Sequence, residues 1–130
     1  MWHRYRSRSK YGNHKITIGD ETYDSMLEYH RYLELLALEM AGEIKDLRRQ
    51  VKYILIPAQR EPDTIGKRGG VHKGKLLEKE VAYFADFVYT DNGSGEEIVE
   101  DTKGMKTKEY IIKRKLMLYI HHIKIKEVRG

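Results

Sequence analysis

The spacing of apolar residues along the chain predicts two helices. Residues 26–40 place apolar side chains at helical intervals, and either Asp24 or Ser25 can cap the start of this first helix. Gly42 follows it and is typical of a helix end. The segment 106–122 shows the same helical spacing and predicts a second helix near the end of the chain.

Segments that alternate apolar and polar residues, or that are rich in β-branched and aromatic side chains, predict strands. A short hairpin that turns at Gly19–Asp20 comes first. The main strands are expected at residues 50–57, 79–90, 97–103 and 123–128. Between the first two lies a polar, glycine-containing segment, residues 58–78, which we expect to be a flexible loop. Loops of this length are uncommon in compact domains, which suggests a binding role for the segment.

The order of these elements is hairpin, helix, three strands, helix and strand. It predicts an α/β fold with a central mixed sheet flanked by helices. A chain of 130 residues can bury one modest core, and no internal repeat is present. We therefore expect residues 1–130 to form a single domain.

Composition excludes several kinds of protein. The chain has no cysteine, so disulfides, thiolate zinc sites and cysteine nucleophiles are absent, and any metal must be held by oxygen or imidazole. No apolar stretch approaches the roughly 18 residues of a membrane span. Residues 1–15 are basic and polar, unlike a signal peptide. We therefore expect a soluble, cytoplasmic protein with no membrane partner.

Basic residues outnumber acidic ones by 25 to 20, and the pI of about 9.3 favours a polyanion as the partner. They concentrate in three segments. Each could be an ordinary solvated surface, but three in one small domain favour a nucleic-acid backbone. The candidate contacts are Arg4, Arg6, Arg8 and Lys10 in a basic N-terminal arm (residues 1–14), Lys67, Arg68, Lys73 and Lys75 in the 58–78 loop, and Lys106 and Lys113, which share a helical face if the second helix starts early.

Two predicted strands carry charged residues where apolar ones should pack. Asp86 interrupts an aromatic strand, and Asp101 and Lys103 lie near the end of its partner. Because side chains alternate along a strand, Asp101 and Lys103 share one side of the sheet, about 6.6 Å apart. If Asp86 points the same way, the two carboxylates repel each other unless a cation lies between them. Mg²⁺ or Mn²⁺ fits oxygen ligands and would suit hydrolysis of a phosphodiester.

These segments resemble a known family. Asp86 in "FADF", followed fifteen positions later by Asp101 in "EDTKG", is similar to the PD-(D/E)XK nuclease signature. "SKYGNHK", "YDSMLEYHRYLELL", "YFADFVY", "VEDTKG" and "TKEYIIKRKLMLY" together resemble a phage and prophage family of small endonucleases, related to Holliday-junction resolvases and long catalogued as a domain of unknown function. The resemblance covers nearly the whole chain. It implies a restriction-endonuclease-like fold and a Mg²⁺-dependent endonuclease acting on branched or duplex DNA in a bacterial host.

The resemblance also implies a role for each matching position. Asp86, Asp101 and Glu28 would be metal ligands, the Thr102 carbonyl would be another, and Lys103 would serve the attacking water. Alanine stands at position 85, where the family name has proline, but proline contributes no catalytic group.

The adjacent acids Glu100 and Asp101 leave one choice open. Alternation lets only one of them face Lys103 on a regular strand, and we choose Asp101 because it lies two residues away. A bulge would reverse the choice.

Each residue also has an ordinary structural interpretation. Asp86 could pair with a nearby arginine, Lys103 could protect a strand edge from aggregation, and Glu28 could pair with Arg31 on its own helix. A non-catalytic nucleic-acid-binding module is the alternative function. The acidic cluster disfavours it, because carboxylates beside a phosphate path would repel the ligand. Symmetric cutting of two strands would need two sites, which a homodimer would supply.

Overall fold

The structure, a computed structural model, describes residues 15–129. Its helices are α1 (Met26–Met40) and α2 (Lys108–His121). Its strands are β1 (Ile16–Ile18), β2 (Glu21–Tyr23), β3 (Ile44–Ile56), β4 (Gln59–Arg60), β5 (Thr64–Ile65), β6 (Val71–His72), β7 (Leu76–Glu78), β8 (Val81–Asp91), β9 (Glu97–Thr102) and β10 (Lys126–Val128). Within residues 15–129, neither helix is long and apolar enough to cross a bilayer.

The central sheet has the strand order β10-β9-β8-β3. β10 runs parallel to β9, and the other neighbours are antiparallel, so the sheet is mixed. α2 supplies the long crossover that a parallel pair requires. The predicted α/β fold with a central mixed sheet flanked by helices is therefore confirmed.

Capping residues determine where both helices begin. The Ser25 hydroxyl accepts a hydrogen bond from Glu28 N at 3.2 Å, so Ser25 is the N-cap of α1. Thr107 caps α2 in the same way, accepting from Tyr110 N at 3.1 Å. We expected Lys106 and Lys113 to share a helical face only if the second helix starts early. Because α2 begins at Lys108, Lys106 precedes the helix and the two lysines do not share a face.

Each face of the sheet is covered by one helix. α2 packs on the cluster of Leu55, Tyr83, Ala85, Val88, Val99, Tyr110, Met117 and Ile125. α1 packs on the cluster of Leu35, Ile44, Phe87 and Tyr89. Alternation along β9 separates the two faces, since Ile98 contacts the α1 cluster and Val99 belongs to the α2 cluster.

Residues 58–78 are expected to be a loop, but the structure shows paired strands there. β4 pairs with β7 and β5 pairs with β6, both antiparallel, so residues 59–78 form a two-stranded ribbon. Between the two ladders Glu61 N donates to Lys75 O at 2.9 Å, and Asp63 Oδ1 accepts from Gly74 N at 2.9 Å. The sequence concealed these strands because each has only two or three residues, too few for alternation to show.

A buried ion pair joins α1 to the sheet. Arg31 donates from Nε and Nη2 to the two carboxylate oxygens of Glu100, both at 2.8 Å. Glu100 is fully buried and also accepts from the Tyr89 hydroxyl. The bidentate geometry offsets the cost of removing the charges from water.

We predict that Arg31→Ala lowers the free energy of unfolding by about 3 kcal/mol, because it leaves the Glu100 charge buried without its partner. Urea unfolding measures this. Arg48→Ala is the control, since Arg48 and Glu97 are exposed and 3.5 Å apart, and it should cost less than about 1 kcal/mol. Equal losses in the two variants would contradict a special role for the buried pair.

Candidate metal centre

Asp86 lies where two strands of the central sheet part. The last paired residues of β8 and β9 are Phe87 and Glu100, so Asp86 and Asp101 come one step beyond the ladder. There, Thr102 N and Thr102 Oγ1 both donate to Asp86 Oδ2 at 2.8 Å. The side chain of Asp86 thus takes the hydrogen bond that a continuing strand would have accepted.

Gln50 of β3 lies opposite Asp86 and has an unusual backbone. Its φ of 50° is in the left-handed region, which is costly for a non-glycine residue and clusters at functional sites. Its Nε2 donates to Glu28 Oε1 at 2.9 Å and to Asp86 Oδ1 at 3.2 Å. The amide therefore holds two acidic side chains in one place.

The start of α1 brings further acids to this point. Glu28 is buried in the first turn, and its Oε2 accepts from Asp24 N at 2.8 Å. One carboxylate oxygen from each of Asp24, Glu28 and Asp86 lies within 4.8 Å of the other two. A set of carboxylate oxygens at this spacing matches the ligands of a hard divalent cation such as Mg²⁺ or Mn²⁺.

Asp101 and Lys103 lie beside this cluster. Lys103 Nζ is 3.1 Å from Asp101 Oδ1 and 4.4 Å from the centre of the Tyr110 ring. The Tyr83 hydroxyl donates to the other oxygen, Asp101 Oδ2. Within residues 15–129, buried Asp101 Oδ1 has no hydrogen bond of ordinary geometry, only the ion pair. Such an oxygen is suited to receive a cation.

The structure revises the expected set of converging carboxylates. Glu28 and Asp86 do converge, but the third member of the close cluster is Asp24, not Asp101. A cavity lies beside this cluster, and Asp101 lines it together with Asp86 and Lys103. Asp101 falls outside the close cluster because alternation turns it toward α2, whereas Glu28 approaches from α1. The position of the Thr102 carbonyl as a ligand stays a prediction.

The choice between Glu100 and Asp101 follows from their opposite faces. Glu100 pairs with Arg31 on the α1 side, and Asp101 meets Lys103 on the α2 side. The ordinary interpretation of Glu28 required a pair with Arg31. Arg31 instead pairs with Glu100. Asp86 likewise contacts threonine and glutamine side chains instead of an arginine.

Burial and mutual repulsion disfavour the charged forms of the acids. Burial, followed by the charges of Asp101 and Glu28, raises the pKa of Asp86 to about 7. Burial also raises the pKa of Asp101, although the nearby Lys103 ammonium opposes the shift. The guanidinium of Arg49 lies 3.6 Å from Glu28 Oε1 and reduces the net negative charge. The cluster is therefore short of positive charge near neutral pH.

The basic residues that we predicted to bind nucleic acid have separate locations. Lys113 lines the cavity beside Asp86, where it pairs with exposed Glu109 at 3.1 Å. Lys106 instead lies 2.6 Å from Glu127. The remaining described candidates are exposed on the ribbon, namely Lys67, Arg68, Lys73 and Lys75. Arg4, Arg6, Arg8 and Lys10 lie outside the described residues.

Sequence reasoning overlooked three residues that shape the site. Asp24 stands four residues before Glu28, a spacing compatible with a shared helical face, but the sequence indicates only a capping role for it. Gln50 carried no signal, because a left-handed residue inside a strand is not visible in the sequence. The sequence predicts Tyr83 only as a strand residue, because its hydrogen bond to Asp101 depends on strand pairing.

Residues 8–129 match the family described as "Protein of unknown function (DUF1064)". The chain belongs to this family. No curated protein and no solved structure matches the chain. Since the family description assigns no activity, the geometry of the site has to carry the functional argument.

We predict that Mg²⁺ or Mn²⁺ raises the melting temperature more at pH 8 than at pH 5.5. Because the folded pKa of Asp86 is raised to about 7, the folded chain binds more protons than the unfolded chain, and stability falls as pH rises from about 4 to above 7. A cation competes with that proton and offsets the repulsion. At ten times its dissociation constant it should contribute about 1.4 kcal/mol, roughly 4–6 °C.

Differential scanning fluorimetry across both pH values measures the shift. Asp86→Asn should abolish it, whereas Glu34→Gln should retain it, because Glu34 is exposed on the same helix as Glu28 but outside the cluster. An undiminished shift in Asp86→Asn would place the cation elsewhere.

Proposed function

We propose that the protein is a metal-dependent endodeoxyribonuclease of the PD-(D/E)XK type. The observation that supports this most is the convergence of Asp24, Glu28 and Asp86 at the parting of β8 and β9, with Asp101 and Lys103 alongside. The element order also agrees with the core expected of that superfamily. Buried acids, a lysine and an open cavity come together at this place.

The acids would hold Mg²⁺ or Mn²⁺. Glu28 and Asp86 are buried, and the Gln50 amide donates to one oxygen of each; within residues 15–129 these two oxygens accept no other hydrogen bond. Asp24 is exposed and can complete the set. Asp101 Oδ1 offers a further oxygen at the edge of the cluster. A bound divalent ion would lower the pKa of a coordinated water and offset the charge of the scissile phosphate.

Lys103 would position the attacking water. Its ammonium is held by Asp101 Oδ1 and by the Tyr110 ring, yet remains partly exposed to the cavity. Donating a hydrogen bond from Nζ would orient the water and stabilise negative charge that develops on the phosphate. Tyr83 keeps Asp101 in place by donating to its other oxygen.

DNA is the proposed substrate, in branched or duplex form. The net charge of +5, the exposed cations of the ribbon and Lys113 beside the cavity support a phosphate backbone as the ligand. A binder without catalysis would gain nothing from buried acids next to that backbone. We place the enzyme in the bacterial cytoplasm, encoded by a phage or prophage, where a homodimer would allow paired cuts.

We predict that Asp86→Asn and Asp101→Asn each lower the single-turnover cleavage rate by at least about 100-fold, since both remove oxygen ligands or their charge. DNA affinity should hold or improve, because a repulsive charge is lost. The assay uses labelled junction, flap, duplex and single-stranded DNA with Mg²⁺, and with EDTA as the blank.

Glu100→Gln is the matched control. It removes the neighbouring carboxylate on the opposite face of β9 and should preserve the rate per folded molecule, with folding checked by circular dichroism. Absence of cleavage by the native chain on all four substrates, with DNA binding intact, would favour the non-catalytic binding module.

A further inference from the structure

The tip of the ribbon carries charge of one sign. Residues 64–72 contain Lys67 and Arg68 and no acid, whereas the acids Asp63 and Glu61 lie level with Gly74 and Lys75, nearer the root. The tip is a tight turn in which Gly69 N donates to Gly66 O at 2.9 Å and Gly66 N donates to Gly70 O at 2.8 Å. Gly69 has a φ of 82°, as a three-residue hairpin loop of this kind requires. Lys67 and Arg68 therefore stand at the extreme end.

Behind this turn lies an apolar pair that belongs to neither hydrophobic cluster of residues 15–129. Ile65 and Val71 are direct cross-strand partners, so their side chains share one face of the ribbon. They are 78% and 72% exposed, among the most exposed apolar side chains of the described residues. The opposite face carries Thr64 and His72. A folded chain gains nothing from two β-branched apolar residues held in water beside the cationic tip.

We propose that the Ile65–Val71 pair is a wedge that enters an unstacked step of DNA, while Lys67 and Arg68 hold the flanking phosphates. This inference rests on the proposed function for its ligand, and it adds the DNA feature that the protein selects. A two-stranded ribbon fits a DNA groove, and apolar side chains inserted between base pairs kink the duplex.

The physical chemistry favours DNA that is already distorted. Inserting the pair into an intact duplex requires unstacking, whereas a bulge or branch point has already lost that stacking. The apolar pair leaves water only when it meets exposed base faces, so its contribution is specific to distorted sites. The cations contribute equally on any duplex, because the phosphate backbone is common to all.

The test compares binding to two duplexes, one unbroken and one with a central bulge flanked by 2-aminopurine. All proteins carry Asp86→Asn, so that DNA remains uncut. The variant Ile65→Thr with Val71→Thr keeps β-branching and strand propensity but adds hydroxyls. Lys67→Ala with Arg68→Ala removes the tip charge. Leu77→Thr is the matched control, because Leu77 is 56% exposed on the same ribbon but near its root.

We expect the threonine pair to lose roughly tenfold or more in affinity for the bulged duplex and less than about twofold for the unbroken one. It should also abolish the 2-aminopurine fluorescence rise, with the salt dependence unchanged. The alanine pair should weaken both complexes and flatten the log–log salt slope by about 1.8. Leu77→Thr should match the parent. Equal affinity losses of the threonine pair on both duplexes, or none on either, would overturn the wedge.

Cleavage by the native chain is measured in parallel, so that the two proposals fail separately. Retained discrimination without cleavage rejects the nuclease but keeps the wedge. Cleavage with no effect of the threonine pair rejects the wedge but keeps the nuclease. Failure to bind either duplex rejects both.

Discussion

The burial of Asp86 between other carboxylates is the constraint on which the rest of the site depends. A buried acid beside two others resists ionisation, and the raised pKa of Asp86 expresses this resistance. The surroundings offset the cost only in part. Thr102 donates two hydrogen bonds and Gln50 a third, while Arg49 pairs with Glu28 and Lys103 pairs with Asp101. Positive charge is what this arrangement lacks, and both a divalent cation and a proton can supply it.

The same constraint accounts for irregular backbone around the site. Ala85 and Val88 belong to one hydrophobic cluster although regular alternation would place them on opposite faces. Asp86 lies in the interval where this alternation breaks, opposite left-handed Gln50 on β3. The distortion lets Asp86 meet Glu28 from α1 and also lie next to Asp101 on the α2 side. On a regular strand, the Asp86 side chain would face only one side of the sheet and could approach only one of these two acids.

The adjacent acids on β9, Glu100 and Asp101, use the same carboxylate group for two purposes. Glu100 turns toward α1, where Arg31 and the Tyr89 hydroxyl satisfy both of its oxygens, so it fastens the helix to the sheet. Asp101 turns toward α2, where, among the described residues, one of its oxygens has only an ion pair to Lys103. A carboxylate whose two oxygens both have hydrogen-bond partners is suited to a structural role. A carboxylate with an oxygen that lacks such a partner is suited to receive a ligand.

Helical spacing, capping residues and strand alternation are local properties, so the sequence predicts the helices, most of the main strands and the relation of Asp101 to Lys103. It places the start of the first main strand at residue 50, whereas β3 begins at Ile44. Which acids meet follows only from the tertiary structure. The place of Asp24 in the cluster, the role of Gln50 and the pairing of Glu100 with Arg31 depend on strand register and helix docking, which join residues far apart in the chain. The ribbon also escaped prediction, since its two- and three-residue strands are defined by their partners and not by their own pattern.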